Sequence, residues 1–301
     1  MRASSWKIAV LLCGLATVMA INKQYLMPNT LSRGNARIMQ SIQAKIQVAN
    51  SGSHPAVLLG GGSNVLMGLD AETMSRLLKR PVYNLGLVNE SGDYRNVLAV
   101  LEASARAGDT VVISSRGFYG NPVISHASIA VKVRGRPIYL AENAMNLNVP
   151  NKSIARLLMP QQKLGVDPYE QLIKLHIEGD QTMCTSNVHI EVAKLDPAQW
   201  PAENYIQHHA DFLNTMRMRG VAVYFSVPDL LVSHDDWDSW TARHLDVRQK
   251  IERIGGRWIS VPMEQVLSTS VGDFCDSSLH PSTRRALQRT HIVAKALASE
   301  V

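Results

Sequence analysis

The chain predicts a three-layer α/β/α sandwich built on a mainly parallel sheet of about five strands. Three observations carry that expectation. Short uninterrupted apolar runs alternate with segments of helical spacing, glycines punctuate the junctions, and 301 residues suffice to bury a large core. Composition is that of an ordinary folded protein, 46% hydrophobic and 19% charged, with no internal repeat of solenoid length.

Residues 1–21 stand apart. Arg2 and Lys7 precede the apolar run Ile8–Ile21, and the segment contains no acid, which is the pattern of an export signal. Val18 and Ala20 have the spacing of a small-residue cleavage site. Trp6 and Ile21-Asn22-Lys23 instead extend the run toward an uncleaved anchor, since a full span needs about 20 apolar residues. The expected location is therefore periplasmic or otherwise extracytoplasmic, at the inner membrane if the segment stays attached. Leu12 stands before Cys13 where a lipoprotein signal needs a small residue, which argues against lipidation.

The next elements follow in order. Residues 22–54 read as a polar connector with a helix near Ala36–Val48, and the α/β domain occupies 55–301. Pro55–Gly60 is a strand buried on both faces; Gly60-Gly61-Gly62 breaks it, and Asn64–Arg80 continues as a helix. Pro81–Gly86 is a second strand, Tyr94–Ala107 a helix closed by Gly108, and Thr110–Ser114 a third strand. Residues 116–205 read as an irregular insertion with helical stretches at Ile154–Met159 and Tyr169–Ile177. Regularity returns with a helix over Ala210–Arg219, the strand Val221–Val227, a helix over Thr241–Ile254, the strand Trp258–Val261 and a terminal helix Pro281–Ala298.

Charge and cysteines exclude several functions. The formal charge of +6 includes Arg2 and Lys7, and the remaining basic residues are scattered, so nucleic-acid binding is not expected. Three cysteines occur: Cys13 in the N-terminal run, Cys184 and Cys275. The last two are expected to be unpaired, partly buried thiols, although an oxidising compartment leaves pairing open. No Cys-x-x-Cys spacing suggests zinc, and no cofactor is expected.

Sites in open parallel sheets lie at the carboxyl ends of strands. There, Leu59-Gly60-Gly61-Gly62-Ser63-Asn64 joins a strand to a helix, exposing the Ser63 hydroxyl above helix amides that stabilise a developing oxyanion. A plain N-cap is the alternative for Ser63. Val65 fails a dinucleotide fingerprint, and no Lys follows Gly62 or Gly68 as a P-loop requires. The second feature, Gly272–Ser282, follows the last strand and contains Asp276 and His280. A serine nucleophile needs a base, and the base needs an acceptor that fixes its tautomer; His280 and Asp276 supply both types. Arg116 and Tyr119, after the third strand, are candidates to contact substrate. His234-Asp235-Asp236-Trp237-Asp238 reads as a solvated loop, and His208-His209 with Asp211 as an exposed first helical turn, so no metal site is expected.

These residues resemble the SGNH (GDSL-type) hydrolase superfamily, especially bacterial membrane-anchored members associated with cell-surface polysaccharide O-acylation. The resemblance runs from about residue 56 to 298 and is vague over 116–205. Gly61-Gly62-Ser63-Asn64 is similar to the block holding the nucleophile, Asn84-Leu85-Gly86 to the block whose Gly amide serves the oxyanion hole, and Asp276 with His280 to the last block. It implies a flavodoxin-like fold, a Ser63–His280–Asp276 triad, and an oxyanion hole of Ser63, Gly86 and Asn121. Asn64 becomes a candidate substrate contact. The implied activity is ester hydrolysis or O-acyl transfer, without cofactor, on acylated carbohydrate carrying O-acetyl groups. A membrane-bound acyl donor or polysaccharide assembly proteins are the implied partners. Three departures stand out. Gly62 replaces the usual Asp before the nucleophile, and three residues rather than two separate Asp276 from His280. The Gly-x-Asn-Asp block is poorly matched by Ser114–Asn121, which puts at risk a donor worth about 3 kcal/mol. A noncatalytic periplasmic glycan-binding component of an assembly system is the alternative that Gly62 and the poor Gly-x-Asn-Asp block favour.

Overall fold

The computed structural model describes residues 42–87, 94–118, 128–133, 136–141, 190, 192–193, 203–275 and 277–300. Five parallel strands form the central sheet: β1 (Val57–Gly61), β2 (Val82–Asn84), β3 (Thr110–Ser114), β6 (Ala222–Phe225) and β8 (Arg257–Trp258). Their order is β2-β1-β3-β6-β8. Every residue of β1 and β3 is buried, which explains why both read as continuous apolar runs rather than alternating ones. Strand order reverses between β1 and β3, where Gly61 lies opposite Ser114. The carboxyl ends of this pair form the switch-point crevice of a doubly wound sheet.

Helices cover both faces. After α1 (42–51) come α2 (Ser63–Leu66), α3 (Ala71–Leu78), α4 (Arg95–Ser104), α5 (Glu203–Met218), α6 (Trp237–Arg253) and α7 (Thr283–Ala298). α3 packs on α7, and α4 packs on α5. Ile42, Ile46 and Ala49 of α1 are fully or almost fully buried in the same core as the sheet, so this stretch belongs to the folded body. Its Lys45 ammonium donates to the Asn84 carbonyl at 3.2 Å.

The structure corrects several expectations. The helix expected over Asn64–Arg80 is two, because the Asp70 carboxylate caps a new start by accepting from the Glu72 amide at 3.0 Å. Within the supposedly irregular insertion, β4 (Ser128–Val133) and β5 (Arg136–Ala141) form an antiparallel hairpin that packs on α4. Arg136 there pairs with Glu102 at 2.7 Å. α5 begins at Glu203, not Ala210. A small parallel pair, β7 (Leu230–Leu231) with β9 (Leu267–Ser268), extends the fold beyond β6. Cys275 is disulfide-bonded, so the expectation of two free thiols fails; its partner lies outside the described residues. The helical stretches expected at Ile154–Met159 and Tyr169–Ile177, and the whole of residues 1–41, also lie outside them. Among the described residues, no helix is long and apolar enough to cross a membrane.

Candidate active site

Ser63 is the first residue of α2, held by a turn whose glycines have distinct jobs. A Cβ at Gly61 would collide with the Ser114 carbonyl and the Val65 side chain, so only glycine lets β1 run this close to β3 before turning. Gly62 is the N-cap and brings no side chain to the first-turn amides. The serine is therefore half-buried at the carboxyl edge of the sheet, at the switch point.

His280 arrives from the other end of the chain. Phe274 and Pro281 form an antiparallel bridge, and the Cys275 amide donates to the His280 carbonyl at 2.9 Å. These contacts hold His280 against Cys275, which is itself anchored by a disulfide. Just beyond His280 the Ser282 hydroxyl caps α7, accepting from the Arg285 amide at 3.4 Å, and the Ser282 amide donates to the Asp273 carbonyl at 2.7 Å. The result places His280 Nε2 2.8 Å from Ser63 Oγ, across 217 residues of sequence. With Nε2 unprotonated, the serine hydroxyl donates and the imidazole accepts, which is the arrangement in which a base can take the proton. Asp276 lies outside the described residues.

A buried polar cluster supports the turn from beneath. Arg289 of α7 is fully buried. Its Nη1 donates to the Asn64 carbonyl at 3.3 Å, and its Nη2 donates to Ser114 Oγ and to the Val227 carbonyl, both at 2.8 Å. The Asn64 side chain donates to the Ser114 carbonyl at 3.0 Å and is 2% exposed. Asn64 is thus corrected from a substrate contact to a brace between α2 and β3. Asp229, fully buried, lies 3.6 Å from Arg285 Nε and 4.0 Å from Arg289 Nε. Burial pushes its carboxyl up to about 6, against the pull of Arg289 and Arg285 and with a smaller push from Asp273.

Gly86 also changes role. Its amide donates to its neighbour Asn84 Oδ1 at 3.1 Å, so the expected oxyanion donor is already taken. The Asn84 carboxamide in turn donates to the Val65 and Leu69 carbonyls at 3.0 and 2.9 Å, capping the end of the Ser63 helix. Glycine is nonetheless required, because a Cβ here would lie 2.8 Å from the Leu66 amide nitrogen. The Ser63 amide remains, at the start of α2. Tyr119 and Asn121 lie outside the described residues; Arg116 opens a 3-10 turn, Arg116–Phe118, directly after β3.

Other histidines serve different ends. His209 is not in an exposed first turn: it is 1% exposed in the middle of α5, its Nδ1 donating to the Tyr205 carbonyl at 2.8 Å. Burial above all pushes it down to about 4, so it is neutral at pH 7 among Tyr94, Tyr205, Phe118 and Phe225. His234 and Asp235 are exposed before α6. Among the described residues, no group of three His, Cys, Asp or Glu side chains is arranged to hold a metal ion. A separate polar pocket between α4, α5 and β5 is lined by Arg95, Glu102, Arg136, His208 and Asp211, none of which was singled out as catalytic.

Sequence reasoning missed Arg289 and Asp229, and it placed Asn84 in a motif without its capping role. Arg289 alone left a signal: it falls on the stripe Ala286, Thr290, Val293 and Leu297, all buried, where a charged residue is out of place.

No family model matches this chain, and no curated protein matches it. Among solved structures it is similar to an acetyl xylan esterase (Est2A) from the rumen bacterium Butyrivibrio proteoclasticus, with 10% identity and a TM-score of 0.34. That match covers 81% of this chain and 63% of the esterase, so the chain spans less than two thirds of its neighbour's length.

Proposed function

We propose that the protein is a serine-dependent acyl-ester hydrolase or O-acyltransferase that acts on the O-acetyl groups of a cell-envelope or exported polysaccharide. The observation that carries this reading is the 2.8 Å approach of His280 Nε2 to Ser63 Oγ at the switch point of the sheet. In the first step, His280 takes the Ser63 proton while Oγ attacks the ester carbonyl. The tetrahedral intermediate, with the Ser63 amide at its oxyanion, collapses and expels the alcohol, which takes the proton from His280. In the second step, water or a sugar hydroxyl gives its proton to His280 and attacks the acyl-serine. The acyl group then leaves as the free acid or a new ester, and the proton returns to Ser63. Asp276 is proposed as the group that orients the imidazole from its other nitrogen.

Export supports the choice of a polysaccharide outside the cytoplasm. The charged flank and apolar run of residues 2–21 fit it, and disulfides such as that of Cys275 persist in oxidising compartments. The test is labelling of the full-length chain by a fluorophosphonate. Labelling at Ser63, lost in Ser63→Ala, is the expected result; undiminished labelling in that variant would exclude the serine as nucleophile.

One observation favours a second reading, a noncatalytic glycan-binding component. With Gly86 committed to Asn84, the oxyanion site is short of a donor. Glycan binding by a protein that fluorophosphonate does not label is the outcome this reading expects.

A further inference from the structure

We infer that Arg289 is a positioning residue for the Ser63–His280 pair, its guanidinium locking the nucleophile's turn to the carboxyl ends of β3 and β6. The inference rests on the reading of Ser63 and His280 as nucleophile and base.

Three facts lead to it. First, the guanidinium reaches three elements at once: the Asn64 carbonyl directly after the nucleophile, Ser114 Oγ at the end of β3, and the Val227 carbonyl just past β6. Second, the helix carrying Arg289 starts three residues after His280, with Ser282 as its cap. Both groups are thus tied to the same helix, Ser63 through the Asn64–Arg289 bond and His280 through the short stretch that leads into α7, so loosening the Arg289 bonds frees the Ser63 turn relative to the helix that His280 precedes. Third, a fully buried guanidinium is an expensive way to fill a core. Apolar side chains of similar volume usually stabilise as well or better, so a buried charge is better explained by the geometry it imposes. Only a planar fork of donors satisfies several acceptors in fixed directions; a lysine supplies one point. Asp229, alongside, balances the charge while making no hydrogen bond to the fork from either oxygen among the described residues, which leaves the terminal nitrogens to the turn.

The experiment compares full-length protein with its Arg289→Lys, Arg289→Met and Thr290→Val variants. Thr290 is the adjacent tie of α7, its hydroxyl accepting from the Asp70 amide at 2.9 Å, away from the Asn64 carbonyl. It controls for general loosening of the helix. The readouts are the rate of fluorophosphonate labelling, kcat and KM for 4-nitrophenyl acetate, and the melting temperature. Misplacing a reacting atom by about 1 Å costs up to about a hundredfold, so labelling and kcat are expected to fall about tenfold or more in both Arg289 variants. Lysine should retain more than methionine, KM should move less than about threefold, and Thr290→Val should stay within about twofold of native. Native rates in folded Arg289 variants, or an equal loss in Thr290→Val, overturn the inference. Should the Arg289 variants not fold, Ser114→Ala removes one acceptor and is expected to slow labelling about threefold at native melting temperature; an unchanged rate overturns it. Failure of the native protein to label at Ser63 removes the underlying reading instead, and the inference with it.

Discussion

Two histidines sit at opposite ends of the sheet's strands, each tied to a side chain far away in sequence, and under the proposed function only one of them takes a proton. At the amino edge, His54 Nδ1 lies 2.8 and 2.9 Å from the two Asp109 oxygens, and its Nε2 donates to the Ala49 carbonyl at 2.9 Å. Asp109 is equally committed, accepting from the Ala56 and Arg106 amides, each at 2.7 Å. Every valence is filled by an acceptor or donor belonging to the fold. At the carboxyl edge, His280 Nε2 faces a hydroxyl at 2.8 Å, on a half-buried loop beside a helix start. A His–Asp contact is therefore no mark of catalysis. What distinguishes the second edge is a serine hydroxyl on one ring nitrogen and its place at the switch point.

The largest effect expected is the contrast between matched substitutions at these edges. His280→Gln should lower the rate of Ser63 labelling about a thousandfold while leaving the melting temperature near native, because removing the base leaves only the residual site. His54→Gln should do the reverse. Labelling per folded molecule stays within about twofold, and denaturant unfolding shows a loss of about 3 kcal/mol, the cost of breaking a buried pair. A labelling defect in His54→Gln larger than its loss of folded protein would erase the distinction between the edges.

That contrast also shows what was legible beforehand. Ser63 could be found because a buried strand, three glycines and a helix start are local features, readable from about ten residues. His280 could be found because a polar block opens the last helix. Their contact is nonlocal, and the expectation of it rested on chain order, on both loops lying at the carboxyl ends of strands, and on the family resemblance. The commitment of Gly86 was out of reach, since Asn84 can cap a helix or leave the amide free at the same spacing. The hairpin β4–β5 escaped although Ile129, Val131 and Val133 alternate with Ser128, Ala130 and Lys132, because Arg136 and Pro137 open the returning strand with a charge and a missing amide donor. The start of α5 escaped because His208-His209 reads as polar, whereas Tyr205, His209, Phe212 and Met216 form one buried stripe. A neutral buried histidine counts as apolar there, and nothing in its letter says so.

His209 gives the next largest effect, and it separates burial from catalysis among the histidines. Its folded value of about 4 lies below the ordinary 6.5, so the unfolded chain takes up a proton that the folded one refuses. The stability this contributes is complete above pH 6.5 and is lost as the pH falls toward 4, amounting to roughly 3 kcal/mol. His244, also pushed down to about 4 by burial and then by Arg248, adds in the same direction. Asp229 opposes both: raised from 3.8 to about 6, it adds stability at low pH that disappears as the pH rises through 6. Replacing His209 by Phe isolates one contribution. Chemical denaturation between pH 4 and 7 should give a flatter acid slope for His209→Phe, with labelling at pH 7 unchanged. An identical slope would mean that His209 takes up its proton without unfolding.

The smallest effect belongs to His234, whose neighbours in sequence look the most like a site. His234 and Asp235 precede α6 with Asp236 at the N-cap position, yet no side-chain capping bond forms there, and both are exposed. His234 and Asp235 face water, and exposed substitutions usually stay within about 0.5 kcal/mol. His234→Ala with Asp235→Ala should therefore leave stability and labelling at native values, and added zinc should not raise the melting temperature. A zinc-dependent rise lost in the double variant would show that loop closure brings these side chains together after all. The outcome at each histidine is thus set by what surrounds the imidazole: a saturated clip at His54, an exposed loop at His234 and, at His280, a ring nitrogen 2.8 Å from a hydroxyl.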